Sequence, residues 1–552
     1  MRAWNRRDLA GVTLGALAAG CAHAEVAPDL IIHGGPIYTG VGANPRVEAV
    51  RIRNGRFVAL GSLAEVSANA RGARVIDLGG AAAYPGFKDA HCHLGGVGLA
   101  AMVLDLVGVE SISAMRERLR AYAATHPEGA IYGRGWIETH WPERRFPNRA
   151  DLDDIVGDRP VFLERVDGHA GVVNSAALAL GSIDGNTANP DGGSIERDGG
   201  GRATGMLIDN AMSLVQSRLP APTPAMQREA LAQAMRLYAS RGWTGVSNMS
   251  TSLAESMLLQ EFASAGDAPI HTDIYLTPED SEIVFQRGAF AIGNAYVRGV
   301  KLYMDGALGS RGAALLAPYA DAHSDGLLVT PPDQLLAFLT RARASNVQVA
   351  THAIGDRGNR LVLDAYRDVF GNDAGASRAA RWRIEHAQVL AREDIPRFAS
   401  QGVVASMQPS HAISDLHFAP SRLGPDRLAG AYAWRSLLES GAIIAAGSDA
   451  PVEKGDPLIE FYAVAYRHDL NGFAGSDWRL DQAVSRAEAL LMLTWAPAFA
   501  CFADAERGTI EVGKLADLSA FSVDLMTAEA PEIPTARSIL TVSGGRISHE
   551  AL

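Results

Sequence analysis

Cysteine is scarce: 552 residues contain three, at positions 21, 92 and 501. So few thiols exclude a disulfide-stapled scaffold, and a large apolar core must hold the fold together. Basic runs and aromatic-basic stripes are missing, and the formal net charge is −12. That balance excludes nucleic acid and an anionic membrane surface as partners. Solenoid-length repeats and low-complexity tracts are absent as well, which excludes a repeat array. What is present is the mixture of a soluble globular chain, 47% hydrophobic and 20% charged. Its length calls for one large domain and a smaller one.

The first two dozen residues stand apart. Met1 to Arg7 holds three arginines and no acid, an apolar stretch follows from Leu9 to Gly20, and Ala22-His23-Ala24 precedes Glu25. This is the layout of a secretory signal at 1–24, too short to leave a bilayer span in the mature form. Arg6-Arg7 at its head resembles a twin-arginine signal, so periplasmic export of a folded protein is expected. Acylation at Cys21 is the alternative, giving a lipid anchor. After cleavage at Ala24 only Cys92 and Cys501 remain, and a disulfide between them stays open.

From Asp29 to Leu78 short β-branched runs alternate with Gly and Asn turns, and "ADLSAFSVD" and "ILTVSGGRIS" repeat that texture near the C-terminus. The two ends, 25–82 and 503–552, are expected to meet in one small β-sandwich. Between them, 83–502 alternates strands and helices, the pattern of a parallel sheet. Eight candidate strands can be read: "AAYPGFKDAH", "GWTGVSNMS", "IHTDIYL", "RGVKLYMDG", "NVQVATHA", "RWRIEHAQ", "GVVASMQPS" and "AIIAAGSDAP". In βα order they predict an α/β fold, a (β/α)8 TIM-type barrel, with an inserted subdomain at about 110–240.

Polar residues fall where apolar strands end: His91 and His93, Lys301, His352, His386 and Asp449. In such a barrel those ends face one another across one mouth, so residues far apart in the chain converge. His91 and His93 are two apart on a strand and point the same way, with Cys92 turned outward. Imidazole is the commonest metal ligand, and a carboxylate completes the set. A lysine ending a buried strand is costly while charged. It readily loses its proton, and the neutral amine can add carbon dioxide to form a carbamate that bridges two metals. The alternative is a salt bridge from Lys301 to Asp305.

"GFKDAHCHL", "VKLYMDGALGSRGA", "THAIGD", "RIEHAQ", "SMQPSHAISD" and "GSDAPVEKGDPL" resemble the YtcJ-like branch of the amidohydrolase superfamily, the amidohydrolase 3 type. "GRGWIETHW", "RVDGHAGVVNSAAL", "ATGMLID" and "GTIEVGKLADLSAF" extend the resemblance over nearly the whole chain. It implies a centre of two divalent metal ions, usually zinc. His91, His93 and Asp449 would hold one, His352 and His386 the other, and carboxylated Lys301 would bridge them. Lys88 and Ala90 depart from the usual residues before the H-x-H pair, outside the ligand positions.

The reaction expected is hydrolysis of a non-peptide C–N bond in a small amide-type molecule, by hydroxide held on the metals. Asp449 would be the catalytic proton carrier. An N-substituted formamide, N-acyl amine or N-acyl amino acid is the substrate read first; a cyclic amide, lactone or ester is the alternative, and a non-catalytic regulatory relative a third reading. The chain has no G-x-S-x-G nucleophile elbow. For substrate contacts His169, Arg311, Gln408, His411 and Trp136 are candidates. Their structural alternatives are capped loops for the two histidines, a surface ion pair for Arg311 and core for Trp136. A homo-oligomer is compatible with the sequence.

Overall fold

The computed structural model describes residues 29–552 except 43–44, 139–140, 166–169, 191–192, 221, 372 and 476–477. The expected signal at 1–24, Cys21 and His169 lie outside the described residues.

Eight parallel strands form the barrel: β1 (Phe87–Cys92), β2 (Trp243–Thr251), β3 (His271–Leu276), β4 (Ala295–Tyr303), β5 (Gln348–Ala353), β6 (Arg383–His386), β7 (Val404–Met407) and β8 (Ile444–Ala446). Each is paired with its neighbour in chain order from β1 to β8. Most of their residues are buried, because helices cover the outside and side chains fill the inside. This is the expected TIM-type fold.

The predicted strand "AAYPGFKDAH" is split at Gly86. Ala82–Pro85 pairs with Leu518–Phe521 in a different sheet, and Phe87 opens the barrel. A Cβ at position 86 would stand 2.4 Å from Thr244 Oγ1 and 2.6 Å from Asp517 Cβ, so the crossing between sheets needs glycine.

The barrel closes where β1 meets the end of β8. Asp449 N–H donates to the His91 carbonyl (2.7 Å) and His93 N–H to the Ala450 carbonyl (2.9 Å). Asp89 stitches the same seam. Its carboxylate accepts from His91 N–H (3.0 Å), Ser448 N–H (2.9 Å), Ser448 Oγ (2.6 Å) and Tyr238 hydroxyl (3.2 Å). Asp89→Ala strands these buried donors, at about 1–3 kcal/mol each. We expect denaturant unfolding of the variant to lose several kcal/mol; an unchanged midpoint would remove Asp89 from the seam.

Lys88, the unusual residue before the H-x-H pair, points into the barrel and donates to Asp273 on β3 (2.7 Å), which also pairs with Arg298 (2.5 Å). It is therefore a structural cation, away from the strand ends.

The inserted subdomain is a six-stranded sheet running from Leu104–Asp105 to Ala203–Asp209. Its bounds correct the expected 110–240. The sheet starts earlier, and the helix Pro224–Arg241 belongs to the barrel. Thr223 caps that helix, Gly242 ends it at φ +104°, and its apolar face (Leu231, Ala234, Met235, Tyr238) is buried just ahead of β2.

A four-stranded sheet from the N-terminal segment faces a six-stranded sheet drawn from both chain ends. Leu30, Ile52, Phe57 and Ile76 share one buried cluster with Leu518, Leu540 and Val542. Each such side chain contributes roughly 1.5–3 kcal/mol of burial, which is what joins the ends. Cys92 and Cys501 are buried and free, so the disulfide left open by the sequence is not formed. Among the described residues no helix is long and apolar enough to cross a membrane.

Candidate metal centre

Every strand-end residue singled out above reaches one cavity of about 310 Å³: His91, His93, Lys301, His352, His386 and Asp449 all line it. Asp449 lies between the imidazoles of His91 on β1 and His93 just past it, with Oδ1 3.4 Å from His91 Nε2 and 3.2 Å from His93 Nε2. The Lys301 ammonium nitrogen is 3.3 Å from His91 Nε2. Ring centroids of His91 and His386 are 5.0 Å apart, those of His352 and His386 4.5 Å. Ligand atoms of His91, His386 and Asp449 all lie within 4.8 Å of one another.

Three of the four imidazoles are tied at Nδ1. His91 Nδ1 meets Glu385 (2.6 Å), His93 Nδ1 the Met249 carbonyl (3.1 Å) and His386 Nδ1 the Gln408 side-chain oxygen (2.7 Å). Each partner is an acceptor, so Nδ1 carries the proton and Nε2 keeps its lone pair for the centre. The residues fit metal on a further observation. Asp449 Oδ1 and His352 Nε2 are buried without a hydrogen-bond partner, and such atoms are costly unless something else satisfies them.

Electrostatics agree. Burial pulls Lys301 down to about 8, against the pull of Glu385 and Asp449. Burial likewise lowers His91 to about 4 and His352 to about 3, keeping both neutral and able to ligate. For Asp449 burial favours the neutral form, but His91, His93 and His386 outweigh it and hold the carboxyl well below the usual range. His386 (φ +74°), Ala387 (φ +43°) and Asp449 (φ +58°) occupy the left-handed region, strain that clusters where geometry is demanded. Asp305 is no partner of Lys301. It accepts backbone N–H groups of Ala314, Ile354 and Gly355 at 2.8–2.9 Å.

The substrate candidates fare differently. His411 lines the cavity, with Nε2 3.7 Å from Asp449 Oδ2. Gln408 does not line it, because its amide is spent on His386. Arg311 is turned away and forks onto Asp321 (3.1 and 3.0 Å), the surface ion pair that was its alternative. Trp136 sits in the inserted subdomain's core beside Trp141, its indole N–H on the Leu163 carbonyl (2.8 Å). The indole donor found a backbone acceptor locally, and the guanidinium found a carboxylate ten residues on.

Two features escaped the sequence reading. Arg383 and Glu385 are fully buried and paired, with Nε–Oε1 2.5 Å and Nη2–Oε2 3.0 Å, directly behind His91. Alternation within "RIEH" puts both on one face, a signal that could have found them. Tyr303, Asp415 and Glu453 also line the cavity.

A parallel eightfold barrel with imidazoles, an amine and a carboxylate gathered at its strand ends defines a metal-dependent hydrolase. This chain belongs to the amidohydrolase family, whose sequence profile matches residues 74–549. It is 32% identical over 529 residues to the YtcJ protein of Bacillus subtilis (strain 168), covering 94% of this chain and 99% of that one. To the N-substituted formamide deformylase of Arthrobacter pascens it is 28% identical over 540 residues, 92% and 97% of the two chains. An uncharacterised metal-dependent hydrolase from Pyrococcus horikoshii OT3 superposes with a TM-score of 0.76 at 26% identity, covering 91% and 99%.

Proposed function

We propose that the protein hydrolyses a non-peptide C–N bond of a small amide with the help of two divalent metal ions, zinc being the ordinary occupant. The carrying observation is the pair of buried, unpartnered ligand atoms, Asp449 Oδ1 and His352 Nε2, opening on the cavity beside Lys301. His91, His93 and Asp449 would hold one ion, His352 and His386 the other. When bound, the ions polarise the substrate carbonyl and make water acidic. Asp449 accepts the proton of the attacking water and passes it to the leaving nitrogen, so water and amide become acid and amine. The deformylase relative supports an amide as substrate.

Lys301 would lie between the ions as a carbamate. Its neutral nitrogen forms a bond to the carbon of CO₂, one C=O π bond becomes the carbamate oxyanion, and the N–H proton leaves to solvent. The ammonium form has no lone pair for this. With Lys301 lowered to about 8, the reactive amine grows as pH rises through that value. Reloading of the metal-free protein, at constant dissolved CO₂, should therefore speed up to pH ~8 and level off above it. An ordinary lysine would keep climbing to about 10.4. Metal bound per chain against time gives the answer, and Lys301→Met should flatten the profile.

The reading itself is tested by elemental analysis and an amide and ester panel. About two metal equivalents and amide turnover are expected. A metal-free active enzyme, or turnover of esters alone, would overturn it.

A further inference from the structure

Beyond the metal centre the cavity has a wall of one electrical sign. Asp415 and Glu453 line it, together with apolar Phe418 and Val452. Gln388 Nε2 (2.7 Å) and the Tyr432 hydroxyl both donate to Asp415 Oδ2, and Ser414 Oγ donates to Glu453 Oε1 (2.6 Å). Among the described residues no hydrogen bond reaches Asp415 Oδ1 or Glu453 Oε2, and no lysine or arginine pairs with either carboxylate. Burial pushes the Asp415 carboxyl up to about 6, against the pull of His411, so it is ionised at neutral pH. Among the described residues arginine is absent from the lining, and Lys301 is its one lysine. Arg311 and Arg422, the guanidiniums nearest in sequence to lining residues Gly309 and Phe418, both pair with Asp321 instead.

The wall is continuous with the centre. Asp449 is 7% exposed and its Oδ1, without a hydrogen-bond partner, opens on the same cavity. His411 Nε2, also buried and unpartnered, is 3.7 Å from Asp449 Oδ2. Asp415 follows His411 by four residues on the helix Pro409–Asp415, so the carboxylate stands roughly one turn, ~5.4 Å, farther out on the same face.

We infer that this wall receives a protonated amine, and that the substrate is a short amide carrying an ammonium group about one helical turn from its scissile carbonyl. The inference rests on the amide-hydrolase reading. Open carboxylate oxygens beside an aromatic ring suit a cation, and Phe418 offers that ring. A carboxylate there would meet two like charges, which removes N-acyl amino acids from the expected substrates.

Binding and turnover are measured separately on metal-loaded protein. Four probes are used: N-acetyl-1,3-diaminopropane, an N-alkyl 4-aminobutanamide, neutral N-propylacetamide and anionic N-acetyl-β-alanine. The first two place the ammonium on the amine and acyl sides, and whichever binds tighter assigns the side. Calorimetry with Asp449→Asn, in which turnover is expected to be at least roughly 100-fold slower, should show one ammonium amide binding roughly 10- to 100-fold tighter than the neutral compound. Asp415→Asn and Glu453→Gln should each shrink that ratio, and Glu453→Lys should turn it toward the anionic probe. Equal or weaker binding of both ammonium amides overturns the inference and leaves amide hydrolysis standing. Preference for the cation without wild-type turnover of any amide overturns the hydrolase reading and leaves the cationic wall.

Discussion

Asp449→Asn is expected to lower kcat/KM roughly 10²- to 10⁴-fold, the worth of a positioned general acid–base group, with bound metal close to wild type. Asparagine is isosteric and keeps an oxygen where Oδ1 lies, 3.2 Å from His93 Nε2. It also tolerates the left-handed φ of +58° at this position better than most residues, so the seam with His91 should survive. What it lacks is a site that takes a proton. Because the neighbouring histidines hold Asp449 well below the usual carboxylate range, it is ionised and ready at neutral pH. Activity should fall on the acid side from about pH 4, where His91 gains a proton and stops ligating, and this limb should appear in wild type and variant alike because Asp449 titrates below it. Steady-state kinetics across pH, paired with elemental analysis, make the comparison. Turnover near wild type would end the proton-carrying role.

The second large effect lies behind the cavity. Arg383 is fully buried and donates to Glu385 twice, to the Ala90 carbonyl (2.6 Å) and to Ser406 Oγ (2.6 Å). Burial would push Glu385 up, but Arg383 and His91 outweigh it and hold it below its usual range. Arg383→Met leaves a carboxylate alone in the barrel interior, a change that typically costs about 3–5 kcal/mol. Its effect should reach the metal, because a protonated Glu385 no longer anchors His91 Nδ1. Affinity should drop roughly 10- to 100-fold, as for other partners behind metal-bound histidines.

The sign with pH follows. A depressed carboxyl adds stability that is present above its unfolded pKa and lost as pH falls through the folded value. Metal-free wild type should therefore lose this contribution on acidification, and the variant should not show it. Denaturant unfolding and chelator competition report the two effects. The double variant Arg383→Met/Glu385→Leu should recover part of the stability, since the stranded charge is gone. Unfolding of Arg383→Met at the wild-type denaturant concentration would refute the account.

Much of this was visible in the chain. His91 lies in β1 and His93 just past its end, and Lys301, His352 and His386 each sit in or end a β-branched apolar run, so alternation and strand ends were enough to gather them. Gln408 stands at the end of β7 as its sequence position implies, but only the folded state shows its amide bonded to His386 rather than open to the cavity. Trp136 and Arg311 failed for a related reason. Both carry a polar group that takes whichever acceptor is nearest in space, and those acceptors, the Leu163 carbonyl and Asp321, could not be chosen from spacing. Asp415 and Glu453 were passed over because lone carboxylates on loops and short helices usually face water.

Periodicity and apolar strand runs by themselves determined the barrel, its order and the ligand types at its rim, since these follow from local patterns every few residues. Only the tertiary structure decided which side chains remain free. Once the barrel closes, most donors are taken by acceptors from other elements, and which atoms facing the cavity are left without a hydrogen bond, Asp449 Oδ1 and His352 Nε2 among the described residues, is a property of packing between elements far apart in the chain.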